Sequence, residues 1–99
     1  MRFYQSVWLI GRTVNSEYTV SRYAIPVESS LLMSQYIMHH DSRYYKYTKQ
    51  FQPNRWTQKF KSSLPRFAYF PLGGGIRGCL VETFAWMEGI LAIASILRR

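Results

Sequence analysis

The sequence predicts an α+β chain of short strands, a coil meander, a cysteine-bearing loop and one long helix at the carboxyl end. Three observations predict it. Strand-forming residues cluster in short runs before residue 39. Basic and aromatic residues then interleave without a period through residue 66, and after residue 80 apolar residues recur at helical spacing.

In chain order, Val7-Trp8-Leu9-Ile10 reads as a short strand ended by Gly11. Residues 18–25 are richer still in strand formers, and Pro26 breaks the run. Residues 30–38 read as a strand, on the strength of Leu31-Leu32-Met33, leading into one helical turn. Residues 41–66 hold seven basic side chains (Arg43, Lys46, Lys49, Arg55, Lys59, Lys61, Arg66) against Asp41 alone, and Pro53 interrupts them. An irregular meander is expected there. A glycine run, Gly73-Gly74-Gly75, separates it from residues 80–97, where Phe84, Met87, Leu91 and Ala94 follow helical spacing. Glu82 and Glu88 lie toward the start of that helix and Arg98 and Arg99 at its end, as the helix dipole favours.

Composition limits what such a chain does. With 99 residues it forms one small domain at most, which excludes a large enzyme. Its 47% hydrophobic and 17% aromatic content is too high for a disordered tail. A chain of this length hides only about 60–65% of its unfolded surface, and one cysteine provides no disulfide framework. Limited independent stability is therefore expected. The longest nearly apolar stretch, residues 89–97, falls short of the roughly 20 residues that span a bilayer. The amino end lacks the apolar core and cleavage site of a signal peptide. The lone thiol suits a reducing compartment, so a cytoplasmic location is expected.

Four constellations could carry chemistry. The stretch from residue 43 to 66 has the cations and rings of a single-stranded nucleic-acid surface. It carries no RNA-module or helix-turn-helix pattern, and interleaved Lys and Tyr more often form a solvated face over buried rings, so no nucleic acid is expected. His39 and His40 are adjacent and far from the one cysteine, which gives no zinc site, so a structural role is expected for both. Residues 73–78 satisfy G-x-G-x-x-G, yet the second strand and later acidic residue of a dinucleotide fold are missing. Cys79 is the more informative residue. It lies just before the long helix and two positions after Arg77, and both a helix amino end and a nearby cation favour thiolate. Gly73, Gly74, Gly75 and Gly78 strip side chains from one side of it, as though the backbone lay flat against something large.

The segment Phe70-Pro71-Leu72-Gly73-Gly74-Gly75-Ile76-Arg77-Gly78-Cys79 has the order F-x-x-G-x-G-x-R-x-C and resembles the cysteine loop of the cytochrome P-450 family, the haem-thiolate monooxygenases. Glu82-Thr83-Phe84-Ala85 and Glu88 resemble the helix that leaves that cysteine, and Phe51-Gln52-Pro53-Asn54-Arg55-Trp56 resembles the family's meander. His39-His40-Asp41-Ser42 is similar to the segment before the meander. Met1-Arg2-Phe3-Tyr4 with residues 7–12 is similar to the close of the E-x-x-R helix and the strand after it. The fold implied is an α+β fragment of the mainly-α cytochrome P-450 fold. Residues 1–38 would hold the helix end and short strands, 39–66 the meander, 67–79 the haem-binding loop and 80–99 the following helix.

The resemblance implies haem b as cofactor, with Cys79 as axial ligand to its iron. Arg77 and Arg12 match cations that pair with haem propionates, and Phe70 would pack on the thiolate side of the porphyrin. Gly73 and Gly78 belong to the loop whose backbone N–H groups would hydrogen-bond the sulfur. Arg2 and Arg55 match two arginines that lock the core together with a glutamate. The implied reaction is O2-dependent oxidation of a small apolar substrate, with electrons from a ferredoxin-like or flavin donor drawn to a basic proximal face. Two departures stand out. Val81 occupies a position where glycine is usual, and the glutamate of E-x-x-R would precede Met1. Because the oxygen-pocket helix, most of the substrate cavity and the closing strands would also lie elsewhere, the chain by itself is expected to be inactive. The alternative is a basic binding module for an acidic partner or single-stranded nucleic acid.

Overall fold

The computed structural model describes residues 1–98. Strand β1 (Leu9–Thr13) pairs antiparallel with β4 (Ser30–Ser34), with Leu9 opposite Ser34 and Thr13 opposite Ser30. Gly11 does not end the strand: it sits within the ladder opposite Leu32. Backbone pairing fixes the strand past a residue that has no side chain to pack. One more step of pairing follows, in which the Val14 N–H donates to Ser29 O at 3.0 Å and the Glu28 N–H to Val14 O at 2.7 Å.

Between these partners lies a second, separate hairpin. The run expected as one strand over residues 18–25 is folded at its middle into β2 (Tyr18–Val20) and β3 (Tyr23–Ile25), with Val20 opposite Tyr23. Ser21 takes φ 56° at the corner. A two-residue hairpin loop needs such left-handed backbone, usually from Gly or Asn, so no turn signal was visible in the sequence.

Strand β4 runs directly into α1 (Gln35–His39), the predicted strand and helical turn. Ser34 makes the junction: its hydroxyl accepts the Ile37 N–H and donates to Trp8 O, both at 3.3 Å. The meander is not wholly irregular, because α2 (Gln58–Ser63) forms within it. Thr57 caps that helix through the Phe60 N–H at 3.2 Å. Leu64 ends it in the extended conformation that a residue before proline adopts.

Helix α3 (Glu82–Leu97) begins two residues later than predicted and buries no side chain. Phe84, Met87 and Leu91, spaced as a core stripe, are exposed, as are Ile90, Ile93 and Ile96 on its other faces. Arg99 lies outside the described residues. Among the described residues the fully packed apolar side chains are Val14, Tyr45 and Ala68. The radius of gyration is 16.6 Å, against about 13 Å for a compact domain of this length. The chain therefore closes only a small core, in which Tyr45 and Ala68 are joined beside the segment that leads into the cysteine loop.

Candidate functional site

Local hydrogen bonds shape the loop that carries Cys79. The Gly73 N–H donates to Phe70 O at 3.0 Å, the Gly78 N–H to Gly75 O at 3.1 Å and the Cys79 N–H to Leu72 O at 2.9 Å. Residues 70–79 thus fold back on themselves around a 3₁₀ turn, Gly75–Arg77. These three donors are consumed in closing the loop. Those of Gly73 and Gly78 are therefore not directed at the cysteine sulfur, contrary to the expectation for that glycine-rich backbone.

Glycine is required by geometry in this loop, at Gly75 (φ 68°) among other positions. Gly73 has φ 79°, a left-handed conformation that L side chains rarely adopt. At Gly74 a Cβ would stand 2.6 Å from Cε1 of Phe67, so only a bare backbone lets that ring approach. Phe67 itself has φ 65°.

Cys79 is a free, partly exposed thiol. It lines a cavity of about 240 Å³ together with Arg12, Arg77, Gly73, Ile10 and Gln35. A neighbouring cavity of about 400 Å³ shares Ile10 and Arg12 and is lined by Phe70, Phe67, Gly74, Met33 and Met38. Of the residues the sequence singles out, Arg12, Phe70, Gly73, Arg77 and Cys79 therefore border two cavities joined through Ile10 and Arg12. Gly78 serves the loop turn beside them.

Charge in this cleft is unbalanced. Arg12 and Arg77 border a further shared cavity of about 440 Å³. The salt bridge found among the described residues joins Arg43 to Asp41 instead. Gln35 is 1% exposed and its Oε1 has no hydrogen-bond partner, although it lines the Cys79 cavity. A buried carbonyl without a donor is costly and marks a place where a further group belongs.

Aromatic rings run beneath the loop. Tyr45 packs on Phe60 at 6.0 Å, Phe60 on Trp56 at 5.9 Å and Trp56 on Tyr69 at 4.6 Å. Tyr69 lies 5.1 Å from the His39 ring, which meets Phe70 edge-on at 5.4 Å. Hydrogen bonds reinforce the stack: the Tyr45 hydroxyl donates to Ala68 O at 2.9 Å and the Phe70 N–H to His39 Nε2 at 3.0 Å. Burial pushes the Tyr45 hydroxyl up to about 12 and raises Tyr69 as well. In contrast, Tyr47 and Phe51 of the same meander are exposed.

Arg2 is buried in this layer. It donates to His39 O at 2.7 Å and Thr48 O at 2.8 Å, and its guanidinium lies over the Phe3 ring at 4.2 Å. Arg55 donates to Gln52 Oε1 at 2.8 Å, while its buried Nε has no partner. Both arginines border one small cavity of about 130 Å³. Burial lowers the Arg2 pKa, and the positive charge of Arg55 lowers it further. Their cavity is lined by no acidic side chain among the described residues.

Sequence reasoning left out Ile10, Gln35, Met33 and Met38 because each reaches the cleft through the β1–β4 pairing or through α1, not through a local motif. Phe67 precedes the motif and takes part only because its backbone turns left-handed. His39, read as structural, is fully buried at the centre of the supporting layer. The departure at Val81 is accommodated: its φ of −104° is open to any residue, and its side chain is exposed. Among the described residues no three metal-binding side chains cluster.

A thiol, the Arg12 and Arg77 guanidiniums and the rings of Phe67 and Phe70 thus border adjoining cavities, with Arg12 donating to Gly11 O at 2.7 Å and neither arginine in an ion pair among the described residues. The whole chain, residues 1–99, matches the cytochrome P450 family. It is similar to cyclooctatin synthase of Streptomyces melanosporofaciens, at 31% identity over all of this chain and 22% of that protein. It is also similar to cytochrome P450 6j1 of Blattella germanica, at 31% identity over 98% of this chain and 20% of that protein. A third relative is cytochrome P450 3A16 of Mus musculus, at 29% identity over 99% of this chain and 19% of that protein. The chain belongs to the cytochrome P450 family. That is a family of haem-thiolate monooxygenases, which use a cysteine-ligated haem, O2 and a redox partner. The chain spans about a fifth of the length of these relatives. No helix among the described residues is long and apolar enough to cross a membrane.

Proposed function

We propose that residues 1–99 form the thiolate side of a haem b site, with Cys79 as the ligand to iron. The observation that carries this reading is the shared cavity of Cys79, Arg12, Arg77 and Gly73. When bound, haem supplies an iron that activates O2, and thiolate ligation pushes electron density toward O–O cleavage.

The chain's own residues have distinct parts in this. Cys79 gives up its proton to bind as thiolate. Arg12 and Arg77 pair with the carboxylates on the edge of the haem; neither forms an ion pair with a carboxylate among the described residues. Phe70 packs against the ring system, and Gly73 and Gly74 allow the backbone to approach it. Gly78 closes the turn that delivers Cys79. Arg2 and Arg55 hold the layer underneath, and the cavity between them suits a carboxylate that neutralises both.

In the complete enzyme the reaction inserts one atom of O2 into a C–H bond of a small apolar substrate. The other atom leaves as water, with two protons and with two electrons from a ferredoxin-like or flavin donor. The basic balance of the chain suits an acidic donor of that kind. Substrate enclosure and proton delivery fall to parts of the enzyme other than these residues, so the chain alone binds the cofactor side without turning over substrate.

A haem titration tests the assignment. Arg12→Gln and Arg77→Gln are expected each to weaken haem binding roughly tenfold while leaving binding of haem dimethyl ester, which lacks the carboxylates, unchanged. Equal losses for haem and ester, or none for either, would remove the arginines from the site.

A further inference from the structure

We infer that His39 is a positioning residue for the cysteine loop: its unprotonated Nε2 holds the Phe70 backbone, its ring holds the Phe70 side chain, and protonation releases both. For its consequence at the cofactor, the inference rests on the haem-thiolate reading above; the tie itself stands on the chain's own geometry.

Two donors converge on the ring. The Phe70 N–H lies 3.0 Å from Nε2, and the Gln5 side-chain amide lies 3.1 Å from Nδ1. A backbone N–H does not rotate away, whereas a side-chain amide turns over. The neutral ring therefore keeps Nε2 free for Phe70 and carries its proton on Nδ1; for the Gln5 oxygen to accept that proton the amide must turn and give up the bond that its nitrogen donates to Arg2 O. An imidazolium has N–H groups at both positions. It would face the Phe70 N–H donor to donor, at the residue where the loop begins.

His39 also joins elements that are otherwise distant in sequence. Its carbonyl accepts from Arg2 at 2.7 Å, its ring lies against Tyr69 and Phe70, and it is completely buried at the end of α1. Phe70 in turn lines the 400 Å³ cavity, and its carbonyl accepts the Gly73 N–H that starts the loop turn. One imidazole thus sets both the wall and the first turn of the site.

Burial and the neighbouring positive charges oppose protonation. Burial is the largest cause lowering the His39 pKa, to about 4, followed by His40 on its own helix, then Arg2 and the amino-terminal ammonium from the leading segment. From the loop side the titratable neighbour is Tyr69, which burial keeps as a neutral phenol. None of these causes is a carboxylate that would hold a proton on the ring.

The test follows His39 and Phe70 by NMR in the haem-free chain between about pH 8 and pH 3. The expected result is an Nδ1–H tautomer at neutral pH, and a Phe70 amide shift that moves with the His39 midpoint in acid. An Nε2–H tautomer, or a Phe70 amide that ignores the His39 titration, would overturn the inference whatever haem does. A second arm adds haem: His39→Leu should weaken haem binding roughly 10- to 100-fold, with recovery in His39→Gln, whose carbonyl accepts the Phe70 N–H. If the wild-type chain shows the tie but no cysteine-ligated haem, the haem reading fails and the tie stands. If cysteine-ligated haem binds equally well in His39→Leu, the positioning role fails and the haem reading stands.

Discussion

The Tyr45 hydroxyl donates to the carbonyl of Ala68 across 2.9 Å, and both residues are buried. Twenty-three positions separate them, so this bond fastens the start of the meander to the strand of chain that leads into the cysteine loop. Tyr45→Phe keeps the ring and strands the Ala68 oxygen. A loss of about 1–2 kcal/mol in urea unfolding is expected. Because the folded-state hydroxyl titrates near 12 rather than 10, its contribution is complete below pH 10 and is lost as pH rises through 12. An alkaline transition unchanged in Tyr45→Phe would contradict this.

Acid should weaken the fold through His39. The unfolded ring binds its proton near pH 6.5, the folded ring only near pH 4. Between those values the unfolded state holds more protons, so stability is complete above pH 6.5 and falls as pH drops toward 4. The loss is on the order of 3 kcal/mol. Urea midpoints measured across that range would be flat if His39 were as accessible as an ordinary surface histidine.

The two inner arginines should respond unequally. Arg2→Met leaves the carbonyls of His39 and Thr48 without a donor, at a cost of about 2–4 kcal/mol. Arg55→Met removes a buried Nε without a partner and the positive charge that depresses Arg2. Its effect on stability of the chain should lie within about 1 kcal/mol of zero. Equal destabilisation by both variants in urea unfolding would argue against a strained cation pair.

At Gly74 the limit is steric. Gly74→Ala places a methyl group 2.6 Å from the Phe67 ring, which should cost about 1–3 kcal/mol. Phe67→Ala in the same chain should restore most of the loss, giving a coupling energy of about 1 kcal/mol in a double-mutant cycle. Additive effects would place the strain elsewhere.

What was legible in the sequence was local. The spacing from Phe70 to Cys79 is a continuous run, and Phe70, Gly73, Gly74, Arg77 and Cys79 from it border the two cavities. The strand and turn over residues 30–38 were readable from the run Leu31-Leu32-Met33, and the Ser34 cap that joins them is itself local, its partner lying three positions on. Other features depend on partners far along the chain or on backbone that the residue type does not announce. Ser21 turns a hairpin without glycine, and α2 is one short helix inside a basic stretch. Gly11 stays in its strand because Leu32 is opposite. The burial of His39 follows from contacts with Gln5 and Phe70 that sequence spacing does not reveal. The apolar stripe on α3 was correctly read as helical but is exposed, since periodicity shows which residues share a face and not what covers them.

The central claim is that Cys79 presents a thiolate to haem iron. The most direct measurement is the absorption spectrum of the chain mixed with haem and reduced under carbon monoxide, beside a Cys79→Ser control. A strongly red-shifted Soret band that disappears in the control is the result expected here. A band identical in both proteins would contradict the claim and leave Cys79 as a buried-edge thiol without a ligand role.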